Sequence, residues 1–203
     1  MTILAAINSR SEPRERAVTN TNPGRNWQVH AISATASKGR LTAGHRGFYC
    51  NLGATGRRPL KREGDGAGPF GRCHPQLVLY RADRTPRPLS QLPVRQIRPD
   101  DCWSDDPEDR RYNMPVNTSS KHRYERLWRR DSLYDLLIVL DLNQRTCRRN
   151  CGSAIFIHLT GERATAGCIA LAERDLRQLI AGLTTTSSID FGQNIANRHH
   201  SGL

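Results

Sequence analysis

Lysine is scarce in this sequence. Of 31 basic residues among 203, only Lys38, Lys61 and Lys121 are lysines. The rest are arginines, spread along the chain rather than gathered into one block, and against 19 acids they leave a net charge of +12. Net charge speaks about partners and solubility, not fold. It fits a nucleic-acid binder, a protein working beside a polyanion such as a cell wall, or a genome that favours arginine codons. The scatter favours the last two. There is also no basic helix, no aromatic-rich platform and no zinc-finger spacing, so nucleic acid is not expected as a partner. Long apolar runs are missing. None approaches the roughly 18 residues of a membrane-spanning helix, so no transmembrane segment is expected. Collagen-like and coiled-coil classes are excluded on composition and periodicity.

A secretory leader is not legible either. Ile3 to Ile7 is too short for the apolar stretch of a signal peptide, and Ser9 to Arg16 is polar and charged. That leaves a cytoplasmic protein, another export route or a start further upstream. Cysteine is present but sparse: Cys50, Cys73, Cys102, Cys147, Cys151 and Cys168. This is far below the density of a disulfide scaffold. An even count permits pairing without requiring it.

What is there reads as one domain with two tails. Residues 1–26 are polar and aperiodic and read as a disordered tail. Residues 27–183 carry the folding signals, and 184–203 read as a polar C-terminal tail that frays. Trp27 to Ile32 alternates as a half-buried strand does. Phe48 to Leu52 and Gln76 to Tyr80 are further strands, on either side of a Gly-rich stretch from Gly53 to Gly71. Residues 81–121 are proline-rich and read as long ordered loops, anchored by Trp103, Tyr112 and Met114. Tyr134 to Leu140 and Ala154 to Leu159 are continuous apolar runs, as central strands are. Glu173 to Leu183 is the one clear helix, with Leu176, Leu179, Ile180 and Leu183 forming its apolar stripe. The fold class is therefore mainly β, or α+β, with proline-rich loops and one late helix.

The chemistry concentrates in one segment. His158 closes an apolar strand, and ten residues later Cys168 follows Gly167. A catalytic thiol needs a base in reach, because the thiolate is the nucleophile. It also needs backbone N–H donors aimed at the developing oxyanion. A glycine before the cysteine lets the chain turn tightly enough to present them. Taken alone, a cysteine after a glycine is more often a small buried residue. Cys147 and Cys151, with His158 and Cys168, have spacing that zinc accepts. That site would consume both catalytic groups, so no metal is assigned and no cofactor is expected. Cys147 and Cys151 either pair with each other or stay free. Lys61, Glu63 and Asp65 sit in a Gly-rich loop without the Walker pattern, which reads as a turn beside the site. Asp105, Asp106, Glu108 and Asp109 read as a solvated loop paired with nearby arginines rather than a calcium site.

This segment resembles the signature of the L,D-transpeptidase (YkuD-like) family, in which a histidine precedes a Ser/Thr-x-Gly-Cys motif, here Thr165-Ala166-Gly167-Cys168. Further stretches are similar to one bacterial branch of that family. They are Lys61 to Gly71, Tyr80 to Arg84, Trp103 to Asn113 and Glu125 to Asp135, so the likeness spans roughly residues 27–183. The resemblance implies a β-sandwich or barrel with Cys168 as nucleophile and His158 as general base. Gly167 and the Cys168 amide would help form the oxyanion hole, and Thr165 would orient the loop or the histidine. Arg163, Tyr134 and Trp103 would line the substrate. The implied reaction attacks a peptidoglycan tetrapeptide stem at its diamino acid, releases D-Ala and passes the acyl group to an amine on a second stem or a protein. A carbapenem adduct and an envelope location follow from the same resemblance. Two differences stand out: only six residues separate His158 from Thr165, and Ala166 and Ala170 replace the polar residue and the arginine that many members carry there. An L,D-carboxypeptidase or amidase on the same scaffold, or an inactive basic protein that holds wall polymer, are the alternatives.

Overall fold

The computed structural model describes residues 26–192. The expected N-terminal tail lies outside them, apart from Asn26, as does His199-His200. In chain order the strands are β1 (Asn26–Ala31), β2 (Lys38–Ala43), β3 (Arg46–Asn51), β4 (Arg72–Cys73), β5 (Pro75–Tyr80), β6 (Val94–Gln96) and β7 (Asp101–Ser104). They continue as β8 (Pro115–Asn117), β9 (Tyr124–Arg126), β10 (Leu136–Leu140), β11 (Phe156–Leu159), β12 (Ile169–Leu171) and β13 (Ser188–Asp190), with one helix, α1 (Glu173–Gly182), before the last. Ten strands form one curled sheet in the order β4-β13-β1-β2-β3-β12-β11-β10-β5-β6, a half-barrel, and β8-β7-β9 form a small second sheet.

The central strands are apolar throughout because both faces of the sheet are covered. In β11 the side chains alternate, as a strand's period of two requires. Ile157 and Leu159 enter a core with Trp27, Leu41, Ile138 of β10 and the helix residues Leu176, Leu179 and Ile180. Phe156 enters a second core with Leu79, Leu137, Trp103, Tyr134 and Cys168. A strand buried on both sides loses the apolar–polar alternation of a surface strand. The helix buries the stripe its periodicity indicates, and Glu173 and Asp175 in its first turn complement the helix dipole. An ion pair from Arg177 Nε to Glu173 at 2.9 Å spans one turn.

Two expectations need correction. The chain does not fray after Leu183: β13 pairs in parallel with β1 and antiparallel with β4, and Ile189 and Phe191 are buried. Their alternation is the burial signal, and the Ser187 hydroxyl accepts from the Thr184 amide at 3.0 Å to close the preceding turn. The proline-rich stretch 81–121 is not purely loop, because β6, β7 and β8 lie within it. Trp103 and Tyr112 are buried there, whereas Met114 is exposed.

All six cysteines are free thiols, and among the described residues no three metal-ligating side chains gather. The acids of residues 105–109 are taken up locally. Asp105 pairs with Arg123 at 3.0 Å and Asp106 with His122 at 3.2 Å. Asp109 is buried and accepts from the Ser104 hydroxyl at 2.9 Å.

Candidate active site

Strands β11 and β12 run parallel with His158 beside Ala170. Phe156 and His158 are two residues apart and share one face of the sheet. Cys168 ends the loop that returns to this face, and its Sγ accepts from the Phe156 amide at 3.3 Å. The thiol itself donates to the Ala154 carbonyl, also at 3.3 Å. Both side chains open into one groove of ≈ 1710 Å³.

Each group is held by the backbone around it. His158 Nδ1 lies 2.8 Å from the Leu159 carbonyl. A carbonyl can only accept, so Nδ1 carries the proton, and in the neutral ring Nε2 keeps its lone pair for use as a base. The Tyr134 ring stands edge-on to the imidazole, with centroids 5.3 Å apart, and fixes its plane. Burial pushes the His158 pKa down to about 4, with Arg129 adding to the shift and the Leu159 hydrogen bond and Asp131 opposing it. Burial likewise pushes the Cys168 thiol up to about 12, with nearby Glu125 reinforcing, while the Phe156 amide and Lys61 pull the other way. At neutral pH the resting pair is therefore a thiol and a neutral imidazole, not a thiolate and an imidazolium.

The turn before Cys168 is built around Thr165. Its hydroxyl donates to the Cys168 carbonyl at 2.7 Å and accepts from the Gly167 amide at 3.2 Å. Gly167 has φ +131, and a Cβ there would sit 2.5 Å from the Ala67 carbonyl oxygen. Glycine is required on both counts. The Gly-rich loop before it is a turn against the site, as expected. Its Lys61 pairs with Asp65 at 2.8 Å, both side chains nearly buried.

The structure places the expected site residues unevenly. Cys168, His158, Thr165, Tyr134 and Arg163 all line the groove. Thr165 orients the loop rather than the histidine. The Gly167 amide is already occupied by Thr165, so it is not a free oxyanion donor as expected, whereas the Cys168 amide makes no hydrogen bond among the described residues. Trp103 does not line the groove. It is buried beneath the site, edge-on to Phe156, with its indole N–H donating to Asn113 Oδ1 at 3.0 Å. Aromatic bulk on a strand buried by both the small sheet and the large one serves packing. Tyr134 is mostly buried, and its hydroxyl donates to Glu125 at 2.5 Å.

Two supports were not among the expected site residues. Asn113 Oδ1 accepts from both Trp103 and the Ala154 amide, the latter at 3.1 Å, and its Nδ2 donates to the Leu142 carbonyl at 2.9 Å. Ala154 has φ +51, a conformation alanine rarely adopts. That conformation turns its carbonyl toward the Cys168 thiol. Asparagine tolerates positive φ, and Asn113 has φ +59. An asparagine after a buried tyrosine is a faint signal, and Ala154 carries none.

The family model of the YkuD L,D-transpeptidase catalytic domain matches residues 33–189. The chain belongs to the YkuD family. No curated protein and no solved structure matches it. The YkuD match spans the sheet from the β1–β2 turn to β13, so it includes the strand beyond Leu183 as well as the His158 and Cys168 segment. A YkuD domain carries the L,D-transpeptidase fold and a link to peptidoglycan.

Proposed function

We propose that this YkuD domain is a cysteine-dependent L,D-transpeptidase acting on peptidoglycan tetrapeptide stems. The observation that carries the reading is that His158 on β11 and Cys168, at the end of the loop that enters the parallel strand β12, line one groove, with the imidazole held as the Nδ1–H tautomer. On stem binding, the thiol turns from the Ala154 carbonyl and gives its proton to His158 Nε2. The sulfur bonds to the carbonyl carbon of the diamino acid. As the C–N bond breaks, the proton passes from His158 to the departing D-Ala amine, leaving a thioester on Cys168. An acceptor amine then attacks the thioester, His158 takes its proton, and the cysteine leaves as thiolate and is reprotonated. The Cys168 amide is the donor available to the oxyanion.

The neutral resting pair fits this order of events. A thiolate that forms only when substrate displaces water from the groove is protected from adventitious oxidation and alkylation. The same carbonyl chemistry makes a carbapenem an acylating ligand for Cys168. The stems lie outside the cytoplasm, so the proposal places the working protein in the cell envelope. Arg163 lines the groove and is exposed, in a position to meet a stem carboxylate. Incubation with disaccharide-tetrapeptides tests the reading. D-Ala is expected from the wild type and not from Cys168→Ala. Equal release by both proteins, or none by either, rejects it.

A further inference from the structure

The sheet face that carries His158 is buried at Ala170 and emerges into solvent on β1, β2 and β3. Asn51 on β3 pairs with Ala170 on β12, which pairs with His158 on β11, so these three side chains share one face. Asn51 Nδ2 donates to the Thr160 hydroxyl at 2.9 Å, closing the seam between β3 and the segment after β11. Two residues back along β3, Tyr49 points to the same face. It lies about 10 Å from β11 across the strands and about 7 Å along them from the His158 row.

The face is closed over Ala170, which is buried beneath the Asn51–Thr160 bond, and open on β1 to β3. Tyr49 is 77% exposed. His30, Arg40 and Tyr49 are cross-strand neighbours on β1, β2 and β3, all exposed, and Lys38 lies beside Asn51 in the next row. The Arg40 guanidinium rests 5.2 Å from the Tyr49 ring centre. It reaches that position by lying across Gly47, where a Cβ would stand 2.9 Å from Arg40 Nη2. The charge is one-sided. Strands β1 to β3 carry no Asp or Glu, Lys38 and Arg40 project from this side, and Asp190 of β13, in register with Gln28, is paired with Arg72 at 3.6 Å. Arg40 makes no ion pair among the described residues, unlike the arginines of the groove rim such as Arg84, Arg123 and Arg129.

The geometry points to a docking platform for the polymer that carries the stems: a glycan strand laid over Tyr49, with the carboxylates of its stem peptides against Arg40 and Lys38. A flat phenol ring offers an apolar face with a polar tip, which suits a sugar ring. The unpaired cations supply the charge complement, and the platform lies on the same sheet face as His158, one buried strand away from it. Among the described residues Tyr49 is the one exposed phenyl-type ring on this face, which suits a sugar better than a run of stacked bases. This inference rests on the transpeptidase reading for the identity of the polymer, but not for the existence of the platform. The platform would hold polymeric wall material near Cys168 without touching the reacting atoms.

The test compares the full chain, Cys168→Ala and the double variant Tyr49→Ala/Arg40→Glu. Each is co-sedimented with purified peptidoglycan sacculi and assayed on soluble disaccharide-tetrapeptide, with melting temperature as the fold control. The double variant should lose about tenfold in sacculus affinity, keep its melting temperature and keep its turnover of the soluble stem. Cys168→Ala should bind sacculi as the wild type does. Rising salt should weaken the wild type and leave the double variant little changed. Undiminished sedimentation of the double variant overturns the platform. So does equal loss by Cys168→Ala, which would locate binding in the groove, and so does displacement by single-stranded oligonucleotide at lower concentration than by soluble glycan. If no protein turns over the soluble stem while the double variant alone loses sacculi, the catalytic reading fails and the platform stands.

Discussion

Removing the Thr165 hydroxyl is the cleanest perturbation of the turn before Cys168. Thr165→Val keeps the side-chain shape and deletes one oxygen. That oxygen serves two backbone groups, the Cys168 carbonyl at 2.7 Å and the Gly167 amide at 3.2 Å. Thr165 is 7% exposed and Cys168 8%, so water does not readily replace it. A buried polar group left without a partner costs about 1–3 kcal/mol. Two such groups imply a loss of about 2–5 kcal/mol, or about 5–15 °C in melting temperature for a domain of this size. Thr165→Ser keeps the hydroxyl and should melt within about 2 °C of the wild type. The turn also sets where Sγ sits, and small misplacements of a reacting atom cost about a hundredfold in rate. D-Ala release by the valine variant should therefore fall further than its stability loss explains at a temperature where it remains folded. Thermal melting by circular dichroism, with the release assay beside it, reads both. A valine variant as stable and active as the serine variant would refute the role given to this hydroxyl.

Other consequences follow from the same geometry. Gly167→Ala forces a Cβ to 2.5 Å from the Ala67 oxygen at φ +131. It should abolish activity and destabilise by at least about 2 kcal/mol, measured by denaturant unfolding. Asn113→Leu removes the acceptor for the Trp103 indole and the Ala154 amide; a loss of about 2–4 kcal/mol is expected in the same assay. His158 is held neutral in the fold, with its pKa near 4 against 6.5 for the free side chain. The unfolded chain therefore binds the extra proton first. Stability should be complete above about pH 6.5 and decline as pH falls toward 4, by roughly 3 kcal/mol in all. His158→Gln should flatten that part of the profile, and a slope unchanged by the substitution would contradict the buried neutral imidazole.

Much of the sheet is legible in the sequence because burial writes itself into a strand's pattern. The apolar runs of β10 and β11 and the alternation of β1 point to strands that the structure contains. Short strands are harder to see. In β2, Lys38 to Ala43 buries only Leu41 and Ala43, too few apolar positions to stand out beside Gly39 and Arg40. In β13, three residues follow a run of threonine and serine, so polar surroundings hide Ile189 and Phe191. The proposed nucleophile and base are visible as residue types at a suggestive spacing. Their supports are not, because Ala154 works through a backbone angle and Leu159 through a carbonyl, and neither leaves a side-chain signature. Trp103 misleads for the opposite reason: its size marks it as important, but only the sheet around it shows that it packs beneath the site.

The central claim is that Cys168 takes the stem as a thioester with loss of D-Ala. Intact-protein mass spectrometry after brief exposure to tetrapeptide stem, without acceptor amine, tests it most directly. The account predicts a mass increase equal to the stem minus D-Ala, mapped by digestion to Cys168, absent from Cys168→Ala and slowed in His158→Gln. An unmodified Cys168 in a protein that still releases D-Ala, or an adduct mapped to another cysteine, would contradict it.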